Sequence, residues 1–168
     1  MGGFSVVVLM SILSFIYLFF IAVFAGVVLY TIISYIFQGI AIMCMSKNMG
    51  YKYPFTAWIP FYNKYLLGKI AGNKIMGVIS GVLSLISVCL GIYFFIHKNS
   101  EILIFAAIVI CLIITFITDT IIAHGIYKSH IKKCGDILTV FNILSLGLLR
   151  PIFLFIIRNK QKKVFVEQ

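Results

Sequence analysis

The apolar positions of the chain fall into long blocks parted by short polar segments. Residues 2–45 hold no charged side chain. One straight helix over them would measure about 66 Å, against a hydrocarbon core of ~30 Å. The block is therefore two spans with a tight turn near Gly26, or one span with a helical extension. The hairpin is the expected form. A cleavable leader would open on basic residues, which this block lacks, so it is expected to be retained. Residues 76–96 form a second block that matches one span. Residues 102–127 form a third, long enough to tilt. Residues 137–157 are apolar but interrupted at Arg150–Pro151.

The segment 46–75 breaks the pattern. Five lysines (Lys47, Lys52, Lys64, Lys69, Lys74) and no acid lie among seven aromatics, Tyr51, Tyr53, Phe55, Trp58, Phe61, Tyr62 and Tyr65. Pro54 and Pro60 punctuate it. Tyr and Trp favour the headgroup level, and lysine snorkels from there into water. The expected structure is an interfacial segment carrying a short amphipathic helix from about Pro60 to Ile70. The expected fold is thus all-α: one polytopic membrane domain over 1–168, with about four transmembrane helices.

Composition supports this class. Of 168 residues 62% are hydrophobic and 11% charged, where soluble domains carry roughly a quarter charged. The mean hydropathy of +1.15 excludes an ordinary soluble globule, and disorder requires the opposite composition. Charge adds orientation. Fourteen Lys+Arg face four acids, Glu101, Asp119, Asp136 and Glu167, for a net charge of +10. Lysine-rich loops stay inside. That rule places 46–75, Lys128–Asp136 and the tail from Arg158 on the cytoplasmic side of the membrane. The segment 137–157 is then an interrupted span or a re-entrant or interfacial segment, and only the latter kind keeps the tail inside. The inner face then collects Lys47, Lys52, Lys64, Lys69, Lys74, Lys128, Lys132, Lys133, Arg158, Lys160, Lys162 and Lys163, opposed by Asp136 and Glu167. That excess exceeds what topology needs and draws an anionic partner.

Few motifs carry chemistry. Gly77, Gly81 and Ser84 put small residues on one helix face, which permits close helix packing within the chain or in a homodimer. Asp119 is the one acid inside a block, and intramembrane acids are costly enough to suggest function. Its alternatives are a proton- or ion-coupled site with His124, or a structural pair with Lys128, Arg150 or a backbone group. His130 and Cys134 have helical ligand spacing, but the flanking lysines repel a cation. Cys44, Cys89, Cys111 and Cys134 form no CxxC pair, so neither a disulfide framework nor zinc is expected. No cofactor is implied. GxSxG, HExxH and a phosphate-binding glycine loop are missing, so the chain is read as non-enzymatic.

The stretch Ala57–Gly72 (AWIPFYNKYLLGKIAG), the run Lys47–Asn48–Met49–Gly50 and the closing Arg158–Asn159–Lys160 resemble small uncharacterised multi-pass membrane proteins of Gram-positive bacteria. That resemblance implies a helical fold and a bacterial plasma membrane, and no activity. By size, number of spans and charge the chain is also similar to the membrane protein partner of the OLE noncoding RNA. The Asp and Gly eight residues apart in that family have no counterpart here: Asp119 to Gly125 is shorter and Asp136 to Gly147 longer. The second resemblance implies RNA held at the membrane as a ribonucleoprotein. The basic face, with Tyr51, Tyr53, Trp58, Tyr62 and Tyr65 as its aromatic rim, is expected to bind anionic lipid headgroups and RNA. The alternatives are a small transporter or channel subunit using Asp119, and an accessory subunit packed through Gly77 and Gly81.

Overall fold

A computed structural model describes residues 2–97, 102–131 and 134–160, with side chains from Val7 onward. All regular structure among them is helical. The helices are α1 (Gly2–Asn48), α2 (Tyr62–Ala71), α3 (Lys74–Ile96), α4 (Ile102–His130), α5 (Gly135–Leu144) and α6 (Arg150–Ile157), with a 3₁₀ turn at Pro54–Trp58. Three stretches, Val7–Asn48, Lys74–Ile96 and Ile102–His130, are long and apolar enough to cross a membrane. The chain is thus compatible with a helical membrane protein of three candidate spans rather than four.

Two compact units divide the chain, Met1–Ile36 and Phe37–Gln168. The first is helical, and its described side chains are almost all exposed apolar ones such as Phe15, Leu18 and Phe24. The helix runs through Gly26 without a turn, so the expected hairpin there is replaced by one continuous helix. Nothing in the sequence forces a break: a lone glycine costs a helix only about 1 kcal/mol.

In the second unit α3 and α4 lie antiparallel. Ser80 meets Asp119 near one end, and the rings of Phe94 and Phe105 lie 6.1 Å apart near the other. The remaining pieces fold back along this pair as two short hairpins. Tyr51 and Lys69 lie side by side, the Lys69 ammonium 4.0 Å from the Tyr51 ring centre. Between them the chain travels inward to Trp58, which packs on Gly39 of α1, and to Phe61, whose carbonyl faces Gly81 of α3. It returns as α2. The inner tip is sharply bent: Phe61 has φ 66°, and the amide of Tyr62 donates to the Pro60 carbonyl at 2.8 Å. This is a γ-turn, a strained geometry for a bulky residue. A helix covers most of the expected Pro60–Ile70 but starts at Tyr62, and it packs against α3 and α4 with Leu66, Leu67 and Ile70 buried.

Gly72 at φ 89° ends α2, and the Asn73 amide reaches back to the Gly68 carbonyl at 2.9 Å. The Asn73 side chain then accepts from the Met76 amide at 3.2 Å and caps α3. One dipeptide stops one helix and starts the next. Asn73→Ala is expected to cost about 1 kcal/mol in an unfolding titration, whereas Asn73→Asp, which keeps the acceptor, should cost less.

The segment 137–157 resolves into the second hairpin. Gly135 packs on Lys128, and the His124 ring nitrogen bonds Thr139 at 2.9 Å, so α5 runs back along α4. The α5 cap is a Schellman turn: Leu146 takes φ 51°, the Gly147 amide bonds the Asn142 carbonyl, and the Leu146 amide bonds that of Ile143. Gly147 then lies on the Phe116 ring. Pro151, tolerated in a first helical turn, opens α6. Phe153 then meets Tyr127, and the Arg158 carbonyl accepts from Asn48 at 3.4 Å. The hairpin returns to the end it left.

The buried core joins four of the helices and the 3₁₀ turn: Ala41, Ile42 and Met45 of α1, Ala57 of the turn, Leu66, Leu67 and Ile70 of α2, Ile122, Ala123, Ile126 and Tyr127 of α4, and Leu154 and Ile157 of α6.

Candidate functional site

Both hairpins deliver a cation to the same acid. The Asp119 Oδ2 accepts from the Arg150 Nη1 at 2.7 Å and from the Lys64 Nζ at 3.1 Å. Its Oδ1 accepts from the Ser80 hydroxyl, and Lys64 also donates to the Ser84 hydroxyl. The side chains are 8% exposed for Asp119, 17% for Lys64 and 19% for Arg150. Four elements, α2, α3, α4 and α6, therefore meet in one charged cluster.

Local sequence explains each position. Arg150 is the first residue of α6, so the hairpin turn sets it level with Asp119. Lys64 lies one turn before Gly68, and Gly68 is pressed against Gly77 with no room for a Cβ. That contact fixes α2 close enough for Lys64 to reach Ser84, ten residues into α3 and about 15 Å along its axis. The Arg150 pairing was among the readings of Asp119. Lys64 was not, because its composition groups it with the surface lysines. The findable signal was its spacing: Lys64 and Gly68 share a helix face, and a Gly-x-x-x-Gly follows in α3.

The pairing of Asp119 with His124 does not form. His124 bonds Thr139 and stands 3.9 Å from Asp136, as their five-residue spacing required. The His130 Nδ1 lies 2.9 Å from the Ile126 carbonyl, and Cys134 is exposed. Gly77 and Gly81 pack inside the chain: a Cβ on Gly77 would lie 2.9 Å from the Gly68 Cα, and one on Gly81 3.1 Å from the Phe61 carbonyl. A dimer or a larger complex would not find that face free.

The other cations collect where α1 and α4 end and α3 begins. Lys47, Lys52, Lys74, Lys128 and Lys160 are exposed. Arg158 stacks 3.6 Å over the Phe155 ring, and Lys69 covers Tyr51. Burial, and then the neighbouring Tyr65, push the Tyr51 phenol above its ordinary range. Tyr53 is exposed with Lys52 5.4 Å from its ring, and Tyr62 and Tyr65 pair at 5.3 Å. Trp58, half-buried on Gly39, is not part of this surface. Lys64 leaves it as well. Lys132, Lys133, Lys162 and Lys163, with Glu101 and Glu167, lie outside the described residues. Among the described ones Asp136 is the single acid near this end. Comparison with protein families, with curated proteins and with solved structures finds no match for this chain.

Proposed function

We propose that the chain is a non-enzymatic membrane protein whose basic end docks a polyanion, with a structured RNA as the specific candidate and the cytoplasmic face of a bacterial plasma membrane as the place. The observation that carries this reading is the convergence of exposed cations from separate elements: Lys47 of α1, Lys52 of the following loop, Lys74 of α3, Lys128 of α4 and Lys160 after α6. Anionic lipid accounts for Lys52 and Tyr53, which sit together as a headgroup anchor. Among the described residues Lys128 and Lys160 have no such aromatic partner, and they suit phosphates presented from the water side.

Lysine contacts to phosphate act through released counterions, so binding falls steeply as salt rises and reads no base sequence. The protein purified from native membranes at low salt should carry nuclease-sensitive absorbance at 260 nm. Raised salt should release one dominant transcript. In a filter-binding titration, Lys52→Gln, Lys128→Gln and Lys160→Gln together should lower the slope of log K against log salt by roughly 2 to 3. Protein that emerges with lipid alone would sink this reading and leave the basic end to topology and headgroups.

A further inference from the structure

The buried cluster is unbalanced. Lys64 and Arg150 bring two positive charges and Asp119 one negative, and both cations lean on the same oxygen, Oδ2. The partners of the other oxygen and of the ammonium are serine hydroxyls, which carry no charge. Of the other acids, Asp136 faces His124 and is exposed. An excess positive charge among groups this buried is costly in an apolar surrounding.

Two donors beside the cluster are also idle. The Arg150 Nε is buried and has no hydrogen-bond partner among the described residues. The Tyr127 hydroxyl is in the same condition, on a side chain that is 0% exposed. The Tyr127 ring meets that of Phe153, one turn along α6 from Arg150, with their centres 6.1 Å apart. Buried donors without partners are rare in folded proteins and call for a ligand or water. The helix ends add to the same field. Lys64 is the third residue of α2 and Arg150 the first of α6, so two short helices start at the cluster with their positive ends towards it. Broken helices whose N-termini converge inside a bundle are a recurrent setting for anions in membrane proteins.

We infer that the cluster of Lys64 and Arg150, with the neighbouring Tyr127, is an anion-binding site for a compact monovalent inorganic ion of the halide class. One unit of excess charge and two idle donors match such an ion. A phosphate or sulfate would bring a second charge and several more acceptors than these donors serve. Asp119 then acts as the built-in competitor. It holds Lys64 and Arg150 in place when the ion is away, and it weakens the ion's binding when the ion is present. The site lies inside the bundle and is independent of the basic end, so it stands or falls apart from RNA docking.

The test is equilibrium binding of radiolabelled chloride to the purified protein in detergent, with gluconate as the replacement anion. Wild-type protein should bind chloride saturably at about one ion per chain. Arg150→Gln should abolish that binding. Asp119→Asn, which keeps the shape and removes the competitor, should tighten it by about tenfold or more, and chloride should raise the thermal midpoint of this variant more than that of the wild type. Lys128→Gln, at the basic end, should bind as the wild type does. The absence of saturable binding to wild-type protein up to physiological salt overturns the inference, and this measurement needs no variant to fold. Loss of binding in Lys128→Gln equal to that in Arg150→Gln also overturns it, by moving the ion to the surface.

Discussion

Asp119→Ala in chloride-free buffer should lose about 3–5 kcal/mol of folding stability, a large part of a total that is commonly 5–15 kcal/mol. The loss comes less from the missing bonds than from what they leave behind. Lys64 and Arg150 are mostly buried and meet on one carboxylate oxygen, at 3.1 Å and 2.7 Å. Without it two like charges share an apolar site. Each has a long side chain, but α2, which carries Lys64, is held on α3 by the Gly68 contact, and Arg150 sits in the first turn of α6. A denaturant titration of purified protein reads the effect. The triple change Lys64→Met, Asp119→Leu, Arg150→Met makes the complementary measurement. Replacing a whole buried charge network by apolar groups of similar volume is often neutral or stabilising. A triple variant close to wild type in stability, beside a crippled Asp119→Ala, would show that the cluster is kept for something other than stability. A triple variant as unstable as the single one would make it a structural staple.

The sequence made part of this arrangement visible, and the boundary has a physical cause. The ends of α3 and α4 are legible because charge and apolar run abut there: the block expected at 76–96 is the helix Lys74–Ile96, and the block at 102–127 is Ile102–His130. Asp119 stands out because an acid inside an apolar run is costly wherever it sits. The continuous α1 was not legible, since a charge-free block offers no polar mark to separate one helix from two. The placing of α2 was not legible either. Its lysines and aromatics have the composition of a headgroup anchor. What overrides composition for Lys64 is a contact between residues far apart in type from any charge motif, Gly68 on Gly77. Small residues announce close packing, but a Gly-x-x-x-Gly does not name the segment that will fill it. Here the partner of Gly77 is the chain's own α2, and that of Gly81 is Phe61 just before it.

That contact makes Gly68 the most tightly packed glycine among the described residues. A Cβ there would lie 2.5 Å from the Gly77 Cα, 2.6 Å from its amide nitrogen and 2.8 Å from the Asn73 carbonyl oxygen. All three are backbone atoms, so no side chain can turn aside and α2 must move away from α3. Overpacking of this kind costs typically 1–3 kcal/mol, and the cost rises here because Lys64 sits one turn away on the moving helix. Displacing it loosens the bond to Ser84 and the pair with Asp119 together. Gly68→Ala is therefore expected to lose more stability than a simple steric penalty, and Gly68→Val should fail to accumulate in the membrane. The dependence on Lys64 is open to a double-mutant cycle. If Gly68→Ala acts by dragging Lys64 off the cluster, its cost should shrink in a Lys64→Met background, with a coupling of about 1 kcal/mol or more. Independent, additive losses would confine the effect to the glycine contact. Gly91→Ala supplies the control, because no atom lies within 4 Å of a Cβ at that site and α3 should accept it without loss.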